Sequence, residues 1–210
     1  MPAPRLVYFA SRGRAEVIRL VAAEAGVQYE NETFAGSEAF AALKQSGRLP
    51  FLAVPIWEEE GFRLAQSGAI TNYLGRAHGM RGADAREEAR VDEALGAVED
   101  VRNEVRRLPM AEASKRPEVR ADLTTNTLPR WFGLLEKHLG ANEFIAGGKS
   151  ITVADLALWY LIELAHDNGF GSALADAPKL DAFFKRVAAR PRIDAYLTGP
   201  RRFALQKLPG

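Results

Sequence analysis

Three short stretches of this chain carry residue types suited to chemistry. In Tyr8-Phe9-Ala10-Ser11-Arg12-Gly13-Arg14-Ala15-Glu16 a tyrosine closes a strand-like run, and two arginines flank a glycine just before helical spacing begins. That junction is where an open α/β sheet presents backbone donors and reactive side chains to small ligands. In Val54-Pro55 a proline opens a strand. It cannot donate to the sheet ladder, and a cis bond is expected there. A cis bond would turn the preceding backbone outward, where an extended peptide can pair with it as an added strand. Gln66-Ser67 is expected at a helix N-terminus, which favours an anion such as a carboxylate. The chain has no cysteine. Disulfides, thiolate metal sites and a cysteine nucleophile are excluded, so any sulfur chemistry must use sulfur supplied by a ligand. His78, His138 and His166 lack ligand spacing, and no metal site is expected.

The elements that must position these groups follow from periodicity. Leu6 to Phe9 reads as a strand and Gly13 to Ala25 as an amphipathic helix, with Val17, Leu20, Val21 and Ala25 on its buried stripe and Gly26 as its stop. Val27 to Phe34 is β-rich, and Ser37 begins a second helix through Phe40 and Leu43. Ala53 to Trp57 and Phe62 to Ala65 bracket Glu60-Gly61 as a hairpin, after which Ser67 is expected to cap a helix. The order β-α-β-α-β-β-α predicts a thioredoxin-like layer over residues 1–79. Redox members of that fold carry Cys-x-x-Cys where Ala10 to Gly13 stand here, which excludes thioredoxin-type activity.

Gly79 to Arg86 reads as a linker, and residues 87–210 as an all-α domain. Helices are expected over Glu87 to Arg107, Pro117 to Leu139 (kinked or broken at Pro129), Thr152 to Asn168 and Pro178 to Ala189. Thr152-Val153-Ala154-Asp155 has the spacing of a capping box, so Asp155 is expected to cap and not to catalyse. The 210 residues are 47% hydrophobic and 26% charged, enough for a sizeable core. The 28 basic and 27 acidic residues are interspersed, which argues against nucleic acid as a partner. No stretch has signal-peptide or membrane-span character, so a cytoplasmic protein is expected.

Taken in order, these motifs resemble the cytosolic glutathione transferases over nearly the whole chain. Tyr8 to Glu16 is similar to the start of the sigma and pi classes, Phe40-x-x-Leu43-Lys44 to their Trp-x-x-Leu-Lys element, and Val54-Pro55 with Leu64-x-Gln66-Ser67 to the rest of the glutathione half. Val91-Asp92 to Asp100 resembles the first helix of the all-α domain. The resemblance implies glutathione as co-substrate, a small-molecule electrophile and a homodimer. Tyr8 would hydrogen-bond the glutathione sulfur, and Val54 before Pro55 would pair with the cysteinyl unit. Gln66 and Ser67 would hold the γ-glutamyl end, with Asp100 of a second subunit at its amino group. Arg14 and Lys44 would bear on its carboxylates, and Phe51 would project into the other subunit. Phe9, Ser11, Arg107, Met110 and Phe203 would meet the electrophile.

Three departures bear on this. Phe40 replaces the usual tryptophan, Ala53 a usual glutamine, and two extra residues separate Lys44 from Pro55, where Arg48 would substitute. A glutathione-dependent isomerase or peroxidase of the same fold, and a non-catalytic ligand-binding relative, stay open as alternatives.

Overall fold

The computed structural model describes residues 3–205 and 207–209, which form two compact units. The first contains the described residues through His78 together with those from Pro191 to Leu205; the second spans Gly79 to Arg190 with Lys207 to Pro209. The expected all-α domain of residues 87–210 is thereby corrected, because the segment beginning at Pro191 packs with the first unit.

The first unit runs β1 (Arg5–Phe9), α1 (Glu16–Ala25), β2 (Glu30–Phe34), α2 (Gly36–Gln45), β3 (Ile56–Glu59), β4 (Phe62–Ala65) and α3 (Ser67–Ala77), with α9 (Pro191–Leu197) added from the far end of the chain. A 3₁₀ turn, Gly13–Ala15, leads into α1. The sheet order is β2-β1-β3-β4, with β1 and β2 parallel and the other pairs antiparallel. Strand alternation sets two faces. Val7, Ile56 and Ala65 are register partners across three strands and pack with Leu49, Phe34, Phe40 and Leu43 under α2. Leu6, Trp57 and Leu64 take the opposite face. There α1 is buried along most of its length and packs on α3 and α9.

The second unit runs α4 (Ala85–Met110), α5 (Arg116–Asp122), α6 (Leu128–Leu139), α7 (Val153–Asp167) and α8 (Pro178–Ala188). The break expected near Pro129 takes the form of a π-helical turn, Leu123–Thr127, which places the proline in the first turn of α6 where its missing N–H is harmless. Helix α7 is buried from Val153 to Glu163, as expected for a helix apolar on every side. Its capping box forms: Asp155 accepts from the Thr152 N–H at 2.8 Å and also from the Ile145 N–H at 2.7 Å, which ties the preceding loop to the helix start. Asp155 is fully buried and saturated by donors, so it is a cap.

Local corrections have backbone causes. Gln66, not Ser67, is the N-cap of α3, and it adopts φ 74°. The strands β2 and β3 begin at Glu30 and Ile56, each about three residues later than periodicity indicated, because the residues before them lack a ladder partner.

An ion cluster crosses the four strands. Glu58 on β3 accepts from Arg63 Nε at 2.9 Å and Arg48 Nε at 3.0 Å, Glu32 on β2 accepts from Arg48 Nη2 at 2.6 Å, and Arg5 on β1 lies 3.4–3.6 Å from both carboxylates. Hydrogen bonds from Arg48 hold both carboxyls below the usual carboxylate range. A depressed folded pKa gives stability that is present above the unfolded pKa, about 4.3, and lost as pH falls through the folded one. Arg48→Met is therefore expected to cost about 1 kcal/mol at pH 7. Urea unfolding at pH 7, 5 and 3 should show that difference shrinking with acidification and vanishing once both carboxyls are protonated.

Candidate functional site

A cavity of about 360 Å³ opens in the first unit where the loop before β3 meets the start of α3. Arg14, Phe51, Val54, Pro55, Gln66 and Ser67 line it, together with Ala53 and Ala65. Its size falls in the range of small-ligand pockets, about 300–1,000 Å³. The Val54–Pro55 bond is cis, as its sequence context predicts. No side chain caps the start of α3, so the leading N–H groups and the positive end of the helix dipole are left for an anionic group. The left-handed φ of Gln66 is a costly conformation for a non-glycine residue, of the kind found at ligand-binding positions.

Tyr8 is 8% exposed at the end of β1 and is joined to this cavity through Arg14. Its Oη accepts the Arg14 backbone N–H at 3.0 Å. The oxygen is thus occupied as an acceptor while the phenolic proton remains to be donated. Gly13 makes this approach feasible: a Cβ there would sit 2.5 Å from the Tyr8 oxygen, and its φ of +46° is left-handed.

Sequence reasoning missed Arg19, which fixes this loop from beneath. Its side chain is fully buried and its Nη1 donates to the carbonyls of Ser11 at 2.8 Å and Arg12 at 3.3 Å and to Glu16 Oε2 at 3.2 Å. Its Nε donates to Asn31, and the guanidinium lies 4.5 Å from the Phe203 ring centre. Glu16, also fully buried, accepts from the Tyr196 hydroxyl at 3.0 Å. The available signal was the pair of opposite charges, Glu16 and Arg19, at i and i+3 in the helix.

Several expected site residues lie elsewhere. Arg48 is consumed by Glu32 and Glu58, so the expectation that it reaches a ligand is corrected. Phe40 and Lys44 do not line the cavity. The Phe40 ring stacks on Phe34 at 5.6 Å within the α2 cluster, and the Lys44 ammonium sits 4.3 Å from the Phe40 ring centre. Of the electrophile residues, Phe9 packs against Phe34 at 4.6 Å, the Ser11 carbonyl faces Arg19, and the Phe203 carbonyl accepts from Arg12 Nε at 2.9 Å, all in the first unit. Arg107 and Met110 belong to α4 of the second unit, where Arg107 is paired with Glu104 and Asp122 and Met110 is exposed. Asp100 is exposed on the same helix.

Gly13→Ala is expected to cost about 1–3 kcal/mol from the left-handed backbone alone. Because its Cβ overlaps the Tyr8 oxygen, it should also break the Tyr8–Arg14 bond. Urea unfolding reads the first effect and loss of exchange protection at the Arg14 amide the second.

Comparison with known proteins bears directly on this arrangement. Residues 4–76 match the family described as Glutathione S-transferase, N-terminal domain, and residues 99–199 match Glutathione S-transferase, C-terminal domain. The chain is 32% identical to Glutathione S-transferase 3 of Gallus gallus over 196 residues, 92% of this chain and 85% of that protein. It is 31% identical to Glutathione S-transferase P 1 of Xenopus laevis over 208 residues, covering 96% and 95% of the two chains. The crystal structure of the glutathione S-transferase from Ascaris lumbricoides superposes with a TM-score of 0.82 at 30% identity, over 93% of this chain and 96% of that one. With both halves matched and the β-α-β-α-β-β-α unit in place, this chain belongs to the glutathione S-transferase family.

Proposed function

We propose that this protein joins the sulfur of glutathione to hydrophobic electrophiles, with the Tyr8 hydroxyl donating its hydrogen bond to the sulfur. The observation that carries this reading is the Arg14 N–H on Tyr8 Oη, which takes up the oxygen as acceptor and leaves its proton to donate. A free thiol with pKa about 8.5 is only a few per cent ionised at neutral pH. A hydrogen bond to the thiolate favours that form, and each unit of pKa lowering corresponds to about 1.4 kcal/mol. The thiolate then attacks an electrophilic carbon: an S–C bond forms, and the leaving group departs with the bonding pair.

The remaining roles follow the chemistry of the cavity. Gln66, Ser67 and the uncapped start of α3 suit the γ-glutamyl carboxylate, the backbone of Val54 suits the cysteinyl amide, and Arg14 supplies a cation. A second copy of the chain is proposed to complete the site with its Asp100. Phe51 and Leu52 support this, since they are 64% and 60% exposed on a loop beside the cavity that Phe51 lines. Covering such a side chain contributes roughly 1.5–3 kcal/mol.

Tyr8→Phe tests the central claim. It should fold and bind glutathione nearly as tightly as the parent, while kcat/KM near pH 6.5 falls on the order of 10–100-fold, a loss of about one to two pKa units of thiolate stabilisation. The ascending limb of the pH profile should move toward the free thiol value. An unchanged rate and profile would remove Tyr8 from the mechanism.

Phe51→Ser is expected to shift the protein toward monomer in sedimentation and to weaken glutathione binding by calorimetry. Asp100→Asn should weaken binding and leave the assembly intact. A Phe51→Ser protein that stays dimeric with full affinity would refute the shared site.

A further inference from the structure

Polar groups are spread unevenly along the cavity at Val54 and Ser67, and the unevenness bears on which thiols it accepts. Resting on the glutathione reading of this cavity, we propose that it recognises only the γ-glutamylcysteinyl part of its thiol. Its co-substrates are then a class: γ-glutamylcysteine itself, and tripeptides whose third residue is altered or blocked, as well as glutathione.

One end of the cavity is furnished for an anion. Gln66 and Ser67 line it at the start of α3, whose leading N–H groups no side chain caps. The strained backbone, Gln66 with φ 74°, is at this end too. The middle is furnished with backbone. In an antiparallel pair, two opposed residues exchange both N–H···O bonds with each other. An extended peptide paired with Val54 in this way spends both bonds on one residue, its cysteine, and the third residue receives neither. Arg14, the cation lining the cavity, has its own N–H on the Tyr8 oxygen at 3.0 Å, which seats it beside the sulfur.

The flank that precedes Val54 offers a third residue little. From Arg48 to Ala53 the chain reads Arg-Leu-Pro-Phe-Leu-Ala. Arg48 carries the only polar side chain of that stretch, and Glu32 and Glu58 hold it. Leu49 is buried in the core, Pro50 has no N–H, and the Leu52 N–H donates to the Leu49 carbonyl at 3.2 Å. Just before, the Ser46 hydroxyl donates to the Leu43 carbonyl at 2.7 Å and accepts the Arg48 N–H at 3.2 Å. The Phe40 ring is stacked on Phe34. Lys44 remains, exposed on α2 with its ammonium 4.3 Å from the Phe40 ring centre. An exposed cation–π contact and an exposed ion pair are of the same order, each worth no more than about fivefold in affinity. Leaving the ring for a glycyl carboxylate therefore gains almost nothing, and that carboxylate stays with water.

The test is calorimetric titration of the full chain with glutathione, γ-glutamylcysteine, the glycyl monoethyl ester of glutathione, and cysteinylglycine. γ-Glutamylcysteine and the ester are expected to bind within about fivefold of glutathione, the most that an exposed ion pair supplies. Cysteinylglycine lacks the γ-glutamyl end and its charge-assisted hydrogen bonds, so it should bind at least about tenfold more weakly. The kcat/KM values of the thiols with an activated aryl chloride should follow the same order. Ser67→Ala should weaken glutathione and γ-glutamylcysteine by one common factor, about tenfold, and leave their ratio unchanged. Lys44→Ala should move glutathione by less than about fivefold. If glutathione binds but γ-glutamylcysteine is more than about fivefold weaker, the proposal is overturned and the glutathione reading stands. If glutathione does not bind, or cysteinylglycine binds within about tenfold of it, that reading falls and the proposal with it.

Discussion

The turn that carries Arg14 to Tyr8 depends on one fully buried ion pair, Glu16 with Arg19. Taking two charges out of water costs several kcal/mol for each ion, and their attraction repays this only when the remaining donors and acceptors are also met. Here they largely are. Glu16 accepts from the Tyr196 hydroxyl and lies 3.6 Å from Arg202, while Arg19 donates to Asn31 Oδ1 and to two backbone carbonyls. Those carbonyls belong to Ser11 and Arg12, so the pair holds the turn between β1 and α1 in one conformation. That turn delivers the Arg14 N–H to Tyr8. The phenol's position is therefore set by electrostatics one layer deeper than the residue itself.

On the opposite face of the sheet the organising force is aromatic packing. Phe9, Phe34 and Phe40 meet edge-on and stacked at 4.6–5.6 Å, above the register row of Val7, Ile56 and Ala65. The ring at position 40 is spent on this cluster. An indole there would bring an N–H that needs an acceptor, whereas phenylalanine brings none. The cavity is lined by Arg14, Phe51, Val54, Pro55, Gln66 and Ser67, and Ala53 brings no polar side chain to it. It depends little on the polar side chains that Phe40 and Ala53 lack.

Features governed by local physics were legible in the sequence. The alternation of strand and helix, the capping box at Thr152 and Asp155, the special backbone at Val54-Pro55 and the break before Pro129 each depend on residues close together in the chain. What escaped depends on distant partners or on backbone shape. Arg48 sits near Lys44 in sequence and looked available, yet its captors Glu32 and Glu58 lie on strands brought within its reach by the sheet order. Ser67 has the better capping side chain, but Gln66 has the non-helical backbone that starts the helix. Arg19 looked like one face of an amphipathic helix because nothing near it announces Asn31 or the Ser11 carbonyl. The same holds for the segment from Pro191, whose attachments are to residues more than 160 positions earlier.

That returning segment has a consequence for how the chain is made. Glu16 and Tyr196 are separated by 180 residues, and Arg12 and Phe203 by 191. At roughly 5–20 residues per second, a ribosome takes about 10–40 s to supply the hydroxyl that Glu16 awaits. Through that interval the nascent first unit carries an incompletely satisfied charge pair at its centre, with α1 lacking one of its packing neighbours. Residues 79–190 of the second unit are synthesised in between. Vectorial folding from the N-terminus thus cannot finish the first unit first: a stretch made after residues 79–190 closes the part of the molecule that preceded them.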